Sequence, residues 1–194
     1  MKKLLITGFD PFGGATVNPS WLAVEKLPDR IGAFAVQKKM IPTVFGAAAE
    51  AVLKEAEKVQ PDVILCVGQA GGREAVTPER IAVNIRDARI TDNAGNQPKG
   101  AFVVNDGPAA YFATVPVEKM AEGIRQAGIP ATVSNSAGAF VCNDVLYTLL
   151  HHYHGTQTKV GFIHVPYLPE QGSPAMELER ITSALRLAIE ACDR

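Results

Sequence analysis

Two apolar patterns alternate along this chain. Short unbroken runs, each closed by glycine, proline or a carboxylate, are followed by longer stretches with helical spacing. "KLLITGF" stops at Asp10, Pro11 and two glycines and reads as a buried parallel strand. "NPSWLAVEKL" follows as a helix, with Asn18 as its cap, Pro19 at the first helical position, and Trp21, Val24 and Leu27 or Leu22 on one face. "AFAVQKKMIP" alternates as a strand does, and "GAAAEAVLKEAEKV" is dense in helix formers until Pro61 and Asp62 break it. "DVILCVG" is the most apolar strand segment, with Cys66 inside it as a core residue and Gly68 opening a loop at its end.

From Arg73 to about Pro116 the pattern loosens. "RIAVNIRDARI" reads as strand, whereas "TDNAGNQPKGAFVVNDGPAAYF" is rich in turn residues and long for a loop, which points to a functional loop or paired hairpins. Regularity returns with "VEKMAEGIRQAG", an amphipathic helix closing at Gly128, then "PATVSNS" as a strand and "AFVCNDVLYTLLHHYH" as a helix. "KVGFIHVPYLP" gives a last strand. "AMELERITSALRLAIEAC" gives a last helix, with Met176, Leu178, Ile181, Leu185 and Ile189 at helical spacing. The alternation runs on without repeat or linker. It predicts one domain over residues 1–194, a three-layer α/β/α sandwich around a mostly parallel, twisted sheet. Antiparallel edge strands from the middle region would make that sheet mixed, and ligands would bind at the carboxyl ends of the strands.

Composition narrows the partners. The chain has 194 residues, 47% hydrophobic and 20% charged, with a net charge of −1, so it has one full core and no basic surplus to grip nucleic acid. No apolar run reaches the ~20 residues of a membrane span, and Asp10 and Pro11 interrupt the opening segment where a secretory signal would continue. The expectation is a soluble, cytoplasmic protein without a membrane partner. Cys66, Cys142 and Cys192 are odd in number and widely spaced, which disfavours a disulfide framework or a zinc ribbon and fits a reducing compartment.

Cys142 holds the most chemistry. It sits in "SNSAGAFVCND", after a run of small residues and in the first turn of a helix beginning near Ala139. A helix start favours the thiolate and offers unpaired N–H groups to a developing oxyanion. By position alone, packing and chemistry account for this cysteine equally well. His164, at the carboxyl end of its strand, is the best placed base. His151, His152 and His154 cluster at a helix end, where contact with the last carbonyls or with solvent fits better than metal binding. A carboxylate that orients the imidazole is still required; Glu79 in "TPERIAVN" is the candidate, with Asp87 and Asp92 as competitors. "GFDPFGG" has neither GxGxxG spacing nor a Gly-Lys-Ser/Thr ending, which disfavours a nucleotide-binding domain. Phe9 and Phe12 there either hold a flat apolar ligand or pack under the loop, and Arg89 is a candidate charged donor. Two function classes remain open on the residues alone: a thiol peptidase, and a non-catalytic small-molecule-binding protein on the same scaffold.

Several separated blocks, taken in order, resemble the pyroglutamyl-peptidase I family of cysteine peptidases over nearly the whole chain. They are "TGFDPFGG" with "NPSW", "CVGQAGGR" with "TPERIAVN", "DARI" with "DNAGNQP", "SNSAGAFVCN" and "GFIHVPYLPEQ". The resemblance implies a cytosolic enzyme that removes an N-terminal pyroglutamyl residue from peptides, with Glu79, Cys142 and His164 as its catalytic set. It implies further that Phe9, Phe12, Thr43, Ile90, Phe140 and Val141 enclose the pyroglutamyl ring, that Asn18 and Gln69 make polar contacts near it, and that Arg89 lies beside the oxyanion. A homotetramer without metal or organic cofactor is also implied. Thr91 stands where the family usually has proline, which bears on the shape of that loop.

Overall fold

In the computed structural model, which describes residues 1–193, the chain runs through β1 (Lys2–Phe9), α1 (Pro19–Glu25), β2 (Arg30–Ile31), β3 (Phe34–Ile41), α2 (Ala47–Val59), β4 (Val63–Gln69), β5 (Thr77–Pro78), β6 (Ile81–Val83), β7 (Ala110–Phe112), α3 (Val117–Gln126), α4 (Val141–His152), β8 (Lys159–Val165) and α5 (Leu178–Ala191). The main sheet has the order β2-β3-β1-β4-β8-β5. Its centre, β3-β1-β4-β8, is parallel, and β2 and β5 are antiparallel at the two edges.

Successive residues of a strand face opposite sides of a sheet, so the central strands sort their side chains into two layers. Leu4, Ile6, Leu65, Val67, Ile163 and Val165 pack with α1, α3 and α5. Leu5, Phe9, Ile64, Cys66, Val160 and Phe162 pack with α2 and α4. Burial on both faces is why these strands read as unbroken apolar runs. The helices come as close as the sequence permits: a Cβ on Gly8 would lie 2.6 Å from Trp21 Cα, so only glycine lets α1 settle on β1. Asn18 caps α1 by accepting from Ser20 N, with Pro19 next, as its spacing predicts.

The α/β/α sandwich is therefore as expected, and its sheet is mixed: the middle region supplies β5 as one antiparallel edge strand, and β2, before β3, is the other. Two differences remain. The rest of the middle region pairs β6 with β7 as a separate two-stranded sheet. "PATVSNS" is not a strand; it follows the sheet edge through the single bridges Val76↔Ala131 and Glu79↔Ser134. Its partner, β5, is only two residues long, and Pro78 has no N–H to continue a ladder. Among the described residues no helix is long and apolar enough to cross a membrane.

Candidate active site

The fold brings Cys142 and His164 together through a glycine. On β8, Val160, Phe162 and His164 share the face covered by α4, and on β4 the same face carries Ile64, Cys66 and then Gly68. Gly68 and His164 are in-register neighbours on adjacent strands. A Cβ on Gly68 would lie 2.9 Å from Cys142 Sγ and 2.8 Å from the Phe162 ring. The sulfur thus rests on the sheet where a side chain is missing, beside the strand that carries His164. Both groups stand at the carboxyl ends of parallel strands.

Cys142 is the second residue of α4, and the residue at the cap position is Phe140, which provides no side-chain hydrogen bond. The first-turn N–H groups are therefore left without a capping acceptor, where Ser, Thr, Asn or Asp would normally supply one. Instead, the helix is fixed by the two residues after the cysteine. Asn143 accepts from Val83 N at 2.9 Å and donates to Val83 O at 2.8 Å and Ile85 O at 3.1 Å. Asp144 accepts from Arg86 Nε at 2.6 Å and Gly46 N at 2.8 Å. Both side chains are fully buried, so the turn that carries the thiol is tied to β6 and to the start of α2.

Glu79 supplies the carboxylate. β5 runs antiparallel to β8, and Glu79 N bonds to Phe162 O at 2.9 Å, which turns the carboxylate toward His164. Its Oε1 lies 2.7 Å from His164 Nδ1 and accepts from Arg73 Nη1 at 2.6 Å. Burial works to raise the Glu79 carboxyl, but the bonds from His164 and Arg73 hold it below the ordinary carboxylate value. Nδ1 therefore carries the proton toward Glu79, which leaves Nε2 with a free lone pair. Burial lowers His164 more than Glu79 raises it, so the ring is neutral near pH 7. Burial, joined by the nearby Glu79 charge, pushes the Cys142 thiol up to about 12. The helix start alone favours a thiolate; in this site desolvation outweighs it, and the resting pair is neutral thiol and neutral imidazole. Asp87 is exposed, and Asp92 is occupied by Phe45 N, Ala94 N, Asn96 N and Asn96 Nδ2, so neither competitor orients the ring.

An aromatic group borders α4. Phe12 and Phe45 approach Phe140 with ring centroids at 6.2 Å and 5.2 Å, the second edge to face. The loop carrying Phe12 is held by Asp10, which accepts from Thr43 N and Thr43 Oγ1, both at 2.7 Å, and from Asn93 Nδ2 at 3.2 Å. Asn18 Nδ2 donates to Asp10 O at 2.9 Å, so Thr43 and Asn18 both buttress this loop. Phe9 and Val141 are buried in the core, the former 6.2 Å from the Phe162 ring. Gln69 pairs in register with Val165 on the opposite face, and its Oε1 accepts from Gln171 Nε2 at 2.9 Å. Arg89 and Ile90 are exposed, and the Arg89 guanidinium makes no hydrogen bond or ion pair among the described residues. The backbone bond from Asp87 N to Ala139 O, at 2.9 Å, carries this segment alongside the approach to α4.

Sequence reasoning missed Phe45, Asp10 and Arg73. Arg73 was visible only as the end of "CVGQAGGR", a loop leaving a buried strand. Phe45 and Asp10 gave no local signal, since their partners lie on other segments. Cys66 is buried as expected, and His151 Nδ1 is bonded to Tyr111 Oη at 2.9 Å.

The family model described as pyroglutamyl peptidase matches residues 2–194. A pyrrolidone-carboxylate peptidase of Yersinia pestis is 48% identical over 197 residues, covering 97% of this chain and 92% of that protein. One from Erwinia tasmaniensis is 49% identical over 195 residues with the same coverage, 97% and 92%. Among solved structures, Bacillus amyloliquefaciens pyroglutamyl peptidase I superposes with a TM-score of 0.96 at 46% identity, covering 99% of this chain and 97% of that one. Pyrrolidone carboxyl peptidase from Thermococcus litoralis gives a TM-score of 0.95 at 40% identity, covering 99% and 93%.

Proposed function

This chain belongs to the pyroglutamyl peptidase family, and on that premise we propose that it is a cysteine peptidase that hydrolyses the amide bond after an N-terminal pyroglutamyl residue. The observation that carries the reading is the 2.7 Å contact between Glu79 and His164, with Cys142 Sγ seated over the in-register neighbour of His164. A protein that only binds a ligand has no use for a buried carboxylate and imidazole beside a thiol at a helix start.

The chemistry follows from the neutral resting pair. His164 Nε2 takes the Cys142 proton as the sulfur attacks the pyroglutamyl carbonyl carbon, and the carbonyl π electrons move onto oxygen. First-turn N–H groups of α4 receive that oxyanion, with Arg89 beside them. As the tetrahedral species collapses, the C–N bond breaks and the amine leaves with the proton held by His164, which yields a thioester. His164 then takes a proton from water, whose oxygen attacks the thioester, and the cysteine leaves and regains the proton. Glu79 holds the imidazole in one tautomer and balances its transient positive charge.

The substrate class fits the walls. A pyroglutamyl terminus has its nitrogen locked in a neutral lactam, so it offers no cation for an acidic anchor. Phe12, Phe45 and Phe140 provide flat apolar surface, and a ring-opened glutamate would have to desolvate its charges against it. Phe9, Thr43, Ile90 and Val141 complete or support that enclosure in this proposal, and Asn18 and Gln69 fix its polar side. One catalytic domain, a cytoplasmic setting and a homotetramer belong to the same reading, and sedimentation at working concentration tests the last. Turnover of a chromogenic pyroglutamyl amide by reduced protein, abolished by iodoacetamide, is the test of the activity. A reduced protein without turnover would reject it.

A further inference from the structure

Arg73 lies on the loop that leaves β4, and its guanidinium reaches three residues on two segments, β5 with its following residue and the loop before α4. Nη1 donates to Glu79 Oε1 and to Thr77 Oγ1, both at 2.6 Å, and Nη2 donates to Ser136 O at 3.0 Å. The Glu79 oxygen is the one that meets His164 Nδ1 at 2.7 Å. Two donors thus converge on one atom of a fully buried carboxylate. Ser136 stands in the loop leading to α4, so the same fork ties the carboxylate to the segment that delivers Cys142. An ammonium could supply the charge but not this planar spread of donors. Arg73 itself is 30% exposed, at the edge of a groove lined also by Gly72, Ser134 and Ser136.

We propose that Arg73 is a positioning residue: it holds the Glu79 carboxylate in the rotamer that meets His164 and locks the loop before α4 against it. The proposal rests on Glu79, Cys142 and His164 being the catalytic set. The charged and titratable groups facing the Glu79–His164 pair are Arg73 from the β4 loop and Cys142 from α4, and Cys66 from β4 acts on Cys142. The Arg73 charge lowers both His164 and Cys142, so its removal raises both.

The test compares wild type, R73A, R73K and E79Q for turnover of a pyroglutamyl amide across pH, with thermal melting of each and guanidinium chloride added back at millimolar concentration. For R73A, kcat falls roughly tenfold or more with KM nearly unchanged, and the acidic limb moves to higher pH. Free guanidinium restores part of kcat, because the vacated site opens to the groove. R73K keeps the wild-type limb and melting temperature but not the full kcat. Wild-type kcat and limb in R73A, beside an impaired E79Q, would overturn this proposal alone. So would a loss of kcat that follows a lowered melting temperature, with no shift of the limb and no response to guanidinium. If R73A does not fold, R73K decides: undiminished kcat overturns the proposal, and reduced kcat at unchanged melting temperature supports it. Absence of turnover in wild type would remove the functional reading and the proposal together.

Discussion

Cys142 Sγ occupies the space that a side chain on Gly68 would need: a Cβ there would come within 2.9 Å of it. Gly68 is also the in-register neighbour of His164, so the missing side chain sets where thiol and imidazole meet. Gly68→Ala should push the sulfur and the Phe162 ring away from the sheet. Overpacking of this kind costs about 1–3 kcal/mol of stability, and the displaced nucleophile should lose roughly a hundredfold in kcat. Denaturant titration and steady-state kinetics on the one variant measure both effects.

Removal of the base should be worse than blunting its partner. His164→Ala is expected to abolish turnover while the protein still folds, because the sheet at that point is held by backbone pairing on both sides. Glu79→Gln should lower kcat by several orders of magnitude without abolishing it, since an amide still orients the ring in part but does not balance imidazolium charge. Wild-type kcat in either variant would reject the role given to that residue.

Acid should inactivate through His164. In the proposed mechanism the working base is the neutral ring, and its folded value lies below 6.5, so kcat/KM should hold steady near neutrality and fall as pH drops through that lowered value. The same shift acts on stability. Below about 6.5 the unfolded chain binds a proton at this position that the native state does not, so stability declines as pH falls from there to the folded value. A pH–rate profile with its limb above 6.5, or melting temperatures whose acid slope is unchanged in His164→Gln, would contradict this assignment.

Phe140 is placed between Phe12 and Phe45 and should govern recognition of the lactam ring. Phe140→Ala removes a wall and leaves the thiol, imidazole and carboxylate in place. The expected result is a KM raised on the order of tenfold, from ~1–3 kcal/mol of lost apolar contact, with a smaller change in kcat. An unchanged KM for a pyroglutamyl amide would place the ring elsewhere.

The frame was legible because both faces of the central sheet are buried, and burial leaves an unbroken apolar run that a sequence displays directly. β1, β4 and β8 and the helices between them were found in this way. "PATVSNS" has the composition of a strand, but its neighbour β5 is two residues long and contains Pro78, a property of the partner and not of the segment. In the middle region the antiparallel pairing of β5 and of β6 with β7 was legible, but what anchors it was not, since Asn143 and Asp144 hold it from α4, about sixty residues away. Cys142 and His164 could be picked out by strand ends and a helix start. The state of the thiol could not, because burial against Gly68 and Phe162 raises what a helix start would lower. Arg73 and Phe45 act only through residues brought to them by folding.

The central claim is that Cys142 carries the acyl group. Mixing the protein with a pyroglutamyl ester or amide, quenching in acid within a turnover and weighing the intact chain tests it most directly. The account predicts a species heavier by one pyroglutamyl acyl group, mapped by digestion to Cys142, absent in Cys142→Ala and accumulating in step with the first burst of product. Turnover that persists in Cys142→Ala, or an acyl group found on another residue, would contradict it.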